Sequence, residues 1–310
     1  MEKLKNIFAS VKHKMWKRAK DSNSYRFKTV YLFIYSLFVP KYKYNTATPS
    51  IISGHNKRDV LKSLREDGIY NFGKVFTDAE VQNIIDKLKD KRCYYGYNPT
   101  VSPFYKSEAP TDVNTANYFA DDYMGEELFL RLLYDEKLLD IFQDFFGCQP
   151  VIYDVSLYWS LLGRATSKDA QVYHRDGGDV KLLAIALYLT DVNSQDDGAY
   201  CYMKKSATSN KILEHSKRHT DEEIHKTFGK ENEVVVTGPR GTLVVTDNLG
   251  FHRGSLPTQN ERFIFFGHIG VSKPYRVLNP YQYITSPENI RKLKNIQHLA
   301  ETVAFDYKES

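Results

Sequence analysis

The spacing of apolar residues changes character midway along this chain. Over residues 59–65, 78–91 and 125–146 apolar side chains recur every three or four positions, which places them on one face of a helix. Thr77 with Glu80 three residues on is a capping box opening the second of these helices. The third carries Leu128, Leu132, Leu138, Phe142 and Phe145 on or near one face and closes at Gly147. From about Val151 the pattern turns to short runs bounded by turn residues: 151–161, 169–174, 181–190, 198–203, 233–237, 241–246, 250–255 and 261–271. Eight short strands with turn signals predict a double-stranded β-helix, the jelly-roll of cupin-like proteins. The expected fold is mainly β with N-terminal helices. Residues 46–310 form one domain around a jelly-roll core of about 151–271, and residues 1–45 form a separate N-terminal arm.

Two strand ends carry candidate chemistry. His174-Arg175-Asp176 closes one β-like stretch, and His252 follows a second, Gly241–Asp247 with its turn. Residues i and i+2 of an extended segment point to the same side, so His174 and Asp176 can reach one ion. Two histidines and a carboxylate are the ligand set of the facial triad that holds Fe(II) and leaves positions open for cosubstrate and O₂. Arg262, ten residues past His252, offers a planar fork of donors suited to a dicarboxylate such as 2-oxoglutarate. The same alternation points Tyr173 and Arg175 away from the ion.

The stretch from about Val151 to Val271 resembles the phytanoyl-CoA dioxygenase family of Fe(II)/2-oxoglutarate oxygenases. The matching features are His174-x-Asp176, the apolar strand Leu182–Leu189, the acidic turn Asp196-Asp197-Gly198, the Gly241 strand, His252 and Arg262. Upstream, Asp67-Gly68 followed by Phe76-Thr77-Asp78 is similar to the family's helical N-terminal part. The resemblance implies that His174, Asp176 and His252 bind Fe(II) and act in catalysis, while Arg262 holds the distal carboxylate of 2-oxoglutarate. Ser255 and Tyr188 are further candidates for cosubstrate contact, and Tyr158 for the pocket wall.

Two departures stand out. Relatives often carry Pro-Gly-Ser-His where this chain has Met203-Lys-Lys-Ser206, and Ser or Thr where it has Gly254. The presence of Asp176 argues against halogenation, because related halogenases have a small residue there. The implied activity is hydroxylation of an aliphatic C–H using 2-oxoglutarate and O₂. Its substrate would be a small organic acid, an acyl thioester or a lipid-linked sugar, as in hydroxylases acting on the Kdo of lipopolysaccharide. The competing reading is a non-catalytic jelly-roll module recruited to membranes.

Charge divides the chain unevenly. Residues 1–45 hold eleven Lys/Arg against two Asp/Glu, whereas the remainder is mildly acidic. Within the arm, Leu4, Ile7, Phe8, Val11, Met15 and Ala19 recur at helical spacing among lysines, with Trp16 at the border. Residues 30–39 are an unbroken aromatic-rich run, too short to span a bilayer, which takes about 20 residues. A basic amphipathic segment of this kind fits an anionic membrane surface. The alternative is that residues 1–40 pack on the domain or at a dimer interface. Nucleic acid is not an expected partner, since the apolar face would serve no purpose there.

The expected location is cytoplasmic, peripheral on the inner face of a membrane. Three cysteines without a C-x-x-C fit a reducing compartment and argue against a disulfide scaffold or a zinc ribbon. A charged insertion, Lys204–Asn232, holds His215, His219 and His225 among lysines and arginines, a poor cation site, and reads as a solvated helical loop near the barrel mouth.

Overall fold

Strand β11 (Arg262–Gly270) divides the molecule into layers. Its odd-numbered residues Phe263, Phe265 and Ile269 enter a large core shared with helices. Arg262, Phe266 and His268 project from the other side into a cavity. Strand β5 (Val151–Ser160), its antiparallel neighbour, does the same. Val155 and Leu157 join the core, while Asp154, Ser156, Tyr158 and Ser160 line the cavity. Period-two alternation therefore fills the core and furnishes the site with the same strands.

A computed structural model describes residues 14–22, 24–39, 41–96, 102–167, 169–209, 211, 217–271 and 304–305. Two antiparallel sheets face each other. The larger runs β1-β9-β6-β11-β5-β4-β2-β3, in which β1 is Ile69–Lys74, β2 Arg92–Tyr94, β3 Phe104–Tyr105, β4 Thr115–Tyr118, β6 Leu183–Tyr188 and β9 Thr242–Asp247. The smaller runs β10-β7-β8, with β7 Tyr200–Met203, β8 Glu233–Val236 and β10 His252–Gly254. Ile69, Ala186, Tyr188, Tyr202, Val236 and Ile264 fill the space between them. This is the expected jelly-roll. Its outer face is covered by helices α3 (Lys57–Glu66), α4 (Asp78–Leu88), α5 (Glu127–Leu133) and α6 (Glu136–Phe146), which seal the large core.

Several elements differ from the sequence expectation. The stretch 125–146 is two helices, not one. Asp135 breaks it, because its side chain caps the second helix at the Leu138 N–H (3.0 Å) while also accepting from Ser50 Oγ and the Ile51 N–H. The run 169–174 is a 3₁₀ turn over Asp169–Gln171 followed by two isolated bridges. Strand β1 was not anticipated. It pairs with β9 through a bulge between Asn71 and Gly73. The capping box at Thr77 and Glu80 is present.

The described part of the arm starts with helical residues 14–21 (α1) and continues as α2 (Tyr25–Ser36). The aromatic run is thus mostly helix. Among the described residues no helix is long and apolar enough to cross a membrane. Both helices pack on the domain. Trp16 and Ala19 are buried against Val180, and the Trp16 indole N–H donates to Asp179 (3.1 Å). Lys181 reaches both Asp247 (2.7 Å) and the Tyr25 hydroxyl (3.0 Å). Leu32 and Tyr44 belong to the large core. Leu4, Ile7, Phe8 and Val11 of the proposed amphipathic face lie outside the described residues.

Asp135→Ala removes one cap and two loop anchors at once. It is expected to cost about 1–3 kcal/mol, read as a lower urea midpoint with an unchanged slope.

Candidate metal centre

The segment carrying His174 and Asp176 lies beside β10 without being a full strand. His174 and His252 are direct cross-strand partners: each backbone N–H donates to the other's carbonyl at 3.0 Å. That pairing brings the two imidazoles to a centroid separation of 4.4 Å. Two residues on, the Asp176 N–H donates to the Asn248 carbonyl (3.0 Å), which keeps the segment extended and turns the carboxylate to the same side. The ligand atoms of His174, Asp176 and His252 lie within 4.8 Å of one another. His174 Nε2 is 3.7 Å from Asp176 Oδ1, and His252 Nε2 is 3.4 Å from Oδ2.

Both imidazoles face the Val172 or Gly250 carbonyl through Nδ1, at 2.8 and 3.0 Å. A carbonyl only accepts, so each Nδ1 carries a proton, and Nε2 is the ring atom turned toward the place where an ion would sit. Burial, reinforced by His252, pushes His174 down to about 3, so its imidazole is neutral over the physiological range. Burial opposes ionisation of Asp176, but His252 and His268 overcome it and hold the carboxyl well below its ordinary value. Two imidazole nitrogens and one carboxylate suit a divalent cation.

Asp176 has two further partners that the sequence reading missed. Asn248 Nδ2 donates to Oδ2 at 2.6 Å, its own carbonyl oxygen being held by Thr246 Oγ1 (2.7 Å). His268 Nε2 donates to the same oxygen at 3.0 Å, and its Nδ1 donates to Asp154 at 2.9 Å. Carboxylates only accept, so both ring nitrogens carry protons and His268 is an imidazolium. Burial opposes that charge, and the hydrogen bonds to Asp154 and Asp176 more than offset it, raising His268 to about 10. Parity along β11 carried the signal: His268 lies six residues past Arg262, on the same side.

Arg262 opens β11, opposite Ser160 of β5. It is 2 % exposed. Its Nη2 donates to Ser160 Oγ (3.0 Å), while Nε and Nη1 are buried with no hydrogen-bond partner among the described residues. The Tyr158 ring lies 6.0 Å from its guanidinium. Gly254 accounts for one departure from the family pattern. A Cβ there would stand 2.7 Å from Arg262 Nη2, so a side chain at 254 would displace the fork. Ser255 is buried behind it, accepting from Arg253 Nη1 (2.9 Å) beside Cys201. Tyr188 is buried between sheets. Its hydroxyl donates to the Val236 carbonyl (2.9 Å) and accepts from the Tyr200 N–H (2.8 Å). Neither is part of the cavity wall, which Gly254 and Arg262 line directly. Arg175 points away from the ligands, as alternation requires, and stacks 4.1 Å over Phe251.

These groups converge on a cavity of about 590 Å³. Another part of its wall comes from β4, β5, the end of β2 and the turn after it, including Tyr94, Asn117, Ser156 and Tyr158. The charged insertion borders the ligands: the His219 N–H donates to the Tyr173 carbonyl (2.9 Å), and exposed Arg218 acts on His174. His219 and His225 face Glu223 and Glu233 and not one another. His215 lies outside the described residues, as does Arg276, the next arginine in the chain after Arg262 that could clamp a dicarboxylate.

No family model and no curated protein matches this chain. Among solved structures it is similar to HygX from Streptomyces hygroscopicus with nickel and 2-oxoglutarate bound, at 15% identity and a TM-score of 0.50, over 72% of this chain and 91% of that one. It is also similar to the epimerase SnoN in complex with Fe3+, alpha ketoglutarate and nogalamycin RO (14% identity, TM-score 0.49, 69% and 82% covered). A third is the carbocyclase SnoK from nogalamycin biosynthesis (14%, 0.48, 72% and 87%). At such identities the likeness to HygX is one of fold.

Three outcomes are expected. His174→Ala, Asp176→Ala and His252→Ala should each abolish Co(II) binding, followed by its visible absorption, with circular dichroism unchanged. His268→Phe, which leaves Asp176 without its cationic donor, should weaken Co(II) roughly 10–100-fold. In the apo protein, charged His268 contributes stability that is complete below its ordinary 6.5 and lost as pH rises through about 10. The fall in unfolding free energy over that range should be smaller in His268→Phe.

Proposed function

We propose that this protein is an Fe(II)- and 2-oxoglutarate-dependent oxygenase that hydroxylates an aliphatic C–H bond. The observation that carries this reading is the shared cavity of the triad and Arg262, whose buried cation has two donors unused. A guanidinium without a carboxylate partner is costly to bury and fits a site completed by an anionic ligand. A dicarboxylate clamped there at one end has its other end free to reach an ion between His174, Asp176 and His252. HygX, to which this chain is similar in fold, has nickel and 2-oxoglutarate bound, and that supports the reading.

Bound at the triad, Fe(II) with 2-oxoglutarate and O₂ supplies an oxidant able to take hydrogen from an unactivated C–H bond. The chain's own residues do the rest. His174 and His252 present lone pairs held in direction by carbonyls. Asp176 supplies a negative charge, with Oδ2 held by Asn248 and His268. Arg262 orients the cosubstrate, and Gly254 leaves it room. The two sheets and the helices behind them keep bulk water away from these groups.

The cavity wall favours one substrate class. Besides Arg262, its cation among the described residues is His268, and both N–H groups of His268 are engaged by carboxylates. Asp154 and Asp169 line the same space with Asn117, Ser156, Tyr94 and Tyr158. Tyrosine faces with amide, hydroxyl and carboxylate acceptors suit a neutral or amino-bearing polyhydroxylated ring. An organic acid or an acyl thioester finds no second cation in that wall, and the carboxylate of Kdo would meet Asp154 and Asp169. Of the substrates expected from the sequence, a lipid-linked sugar fits best, with its phosphate outside near Arg218. Phytanoyl-CoA dioxygenases remain the family that the motifs resemble. We place the protein peripherally on an anionic membrane surface, where such a substrate resides.

The test is anaerobic calorimetry with Fe(II) and 2-oxoglutarate, followed by aerobic conversion to succinate. A non-catalytic jelly-roll module would show neither, and that result would end the oxygenase reading. Arg262→Lys should raise the KM for 2-oxoglutarate at least tenfold, because a point charge does not replace a fork. Gly254→Ala should act in the same direction by displacing the guanidinium. Succinate formation should be stimulated by neutral or amino sugars more than by sugar acids. The opposite preference would overturn the substrate class.

A further inference from the structure

Helix α2 is apolar on two sides, and the domain covers only one of them. Tyr31, Leu32 and Tyr35 face inward, where Leu32 enters the large core and Tyr31 packs near Val180. Lys28, buried on the same side, donates to the Lys20 carbonyl (2.5 Å). Phe27, Val30, Phe33, Ile34 and Leu37 recur at three- and four-residue spacing on the opposite side and continue into Phe38. All six are exposed, Leu37 by 66% and Phe38 by 81%. Large apolar side chains in a row, facing water, mark a surface that something else covers.

The charge around this stripe says what. Lys14, Lys17 and Arg18 of α1, Arg26 of α2, and Lys41 and Lys43 just after it are all exposed. The acidic residue in the same stretch is Asp21, which Lys20 neutralises at 2.6 Å. Residues 1–13 add Lys3, Lys5 and Lys12 against Glu2. A second copy docked on this stripe would bring two strongly basic rims together, which is unfavourable. An anionic lipid surface meets both needs: headgroups for the cations and an acyl boundary for the aromatic and aliphatic stripe.

Resting on the peripheral-membrane reading above, we propose that the outward face of α2, from Phe27 to Phe38, is the docking surface for anionic lipid. This surface lies within residues 1–40, where membrane contact is expected from the sequence; of the stripe that runs from Leu4 to Ala19, Met15 is exposed and Ala19 is buried, as is Trp16 at its border. The inward side of the same helix pair grips Asp179–Lys181, three to five residues after the ligand Asp176 and next to the cavity residues Gly177, Gly178 and Leu182. Lipid docking thereby sets the metal-bearing segment close behind the surface that meets the bilayer.

The experiment uses the full-length chain, because Trp16, Leu32 and Tyr44 are buried and deleting the arm would expose the core. Sedimentation is measured with vesicles of phosphatidylglycerol and phosphatidylcholine, and with phosphatidylcholine alone. Wild type should bind the anionic vesicles, with salt weakening binding but leaving a residue that burial sustains. The exposed triple variant Phe33→Ser, Leu37→Ser, Phe38→Ser should bind at least tenfold more weakly, with circular dichroism and Co(II) binding unchanged. Lys17→Glu, Arg18→Glu and Arg26→Glu together should abolish the preference for anionic lipid.

Vesicle binding by the triple serine variant equal to wild type overturns the proposal, as does wild type that does not bind. A wild-type dimer that the serine variant makes monomeric, without vesicle binding, assigns the stripe to a second copy instead. Loss of Co(II) or 2-oxoglutarate binding with vesicle binding intact would count against the oxygenase reading alone.

Discussion

The pair of backbone hydrogen bonds between His174 and His252 is the constraint on which the site depends. These residues are 78 positions apart in the chain, and no local preference brings them together. One cross-strand pair fixes both imidazoles at once, and because the next alternate position is Asp176, the third group follows with no separate arrangement. The rest of the jelly-roll makes that pair hold. The large sheet and its helical cover bury enough apolar surface to keep the small sheet and the His174 segment in register. A slip of one residue would turn Arg175 and Arg253 inward and send the ligands out.

Alternation explains both the success and the gaps of reading this chain as a sequence. The strands of the jelly-roll were legible because their apolar runs end at turn residues, and the His-x-Asp spacing was legible because it has a geometric meaning on an extended segment. His268 and Asp154 were equally accessible in principle. Each lies an even number of residues from Arg262 or Ser160 on its own strand, but following parity required knowing that these two strands were neighbours. Asn248 gave no signal, since its role comes from a turn whose path only the fold reveals. The run 125–146 misled because Tyr134 and Asp135 interrupt it without glycine or proline. The break shows only when the Asp135 carboxylate is seen to cap one helix and anchor a distant loop.

Tyr188 and Ser255 show where sequence proximity and spatial function part. Both sit within a few ångströms of cavity residues. Yet Tyr188 has its hydroxyl held by two backbone groups, and Ser255 accepts from Arg253. A polar side chain next to a ligand in the chain belongs to the layer behind it whenever parity is odd, as it is for Ser255 beside Gly254. The arm makes a related point at larger scale. Its amphipathic pattern was visible, but a helical periodicity does not say which of two apolar sides the domain will claim.

The uncompensated guanidinium of Arg262 ties the durability of the folded chain to its chemical surroundings. A buried cation with two vacant donors lowers the free energy gap to the unfolded chain, and whatever anion fills the cavity restores part of it by mass action. The protein's lifetime against heat and proteases would then follow the supply of that anion. Scarcity would thin the population of molecules as well as slow each one. A single arginine with no carboxylate partner among the described residues would thus make the amount of folded protein depend on the anion that fills its cavity.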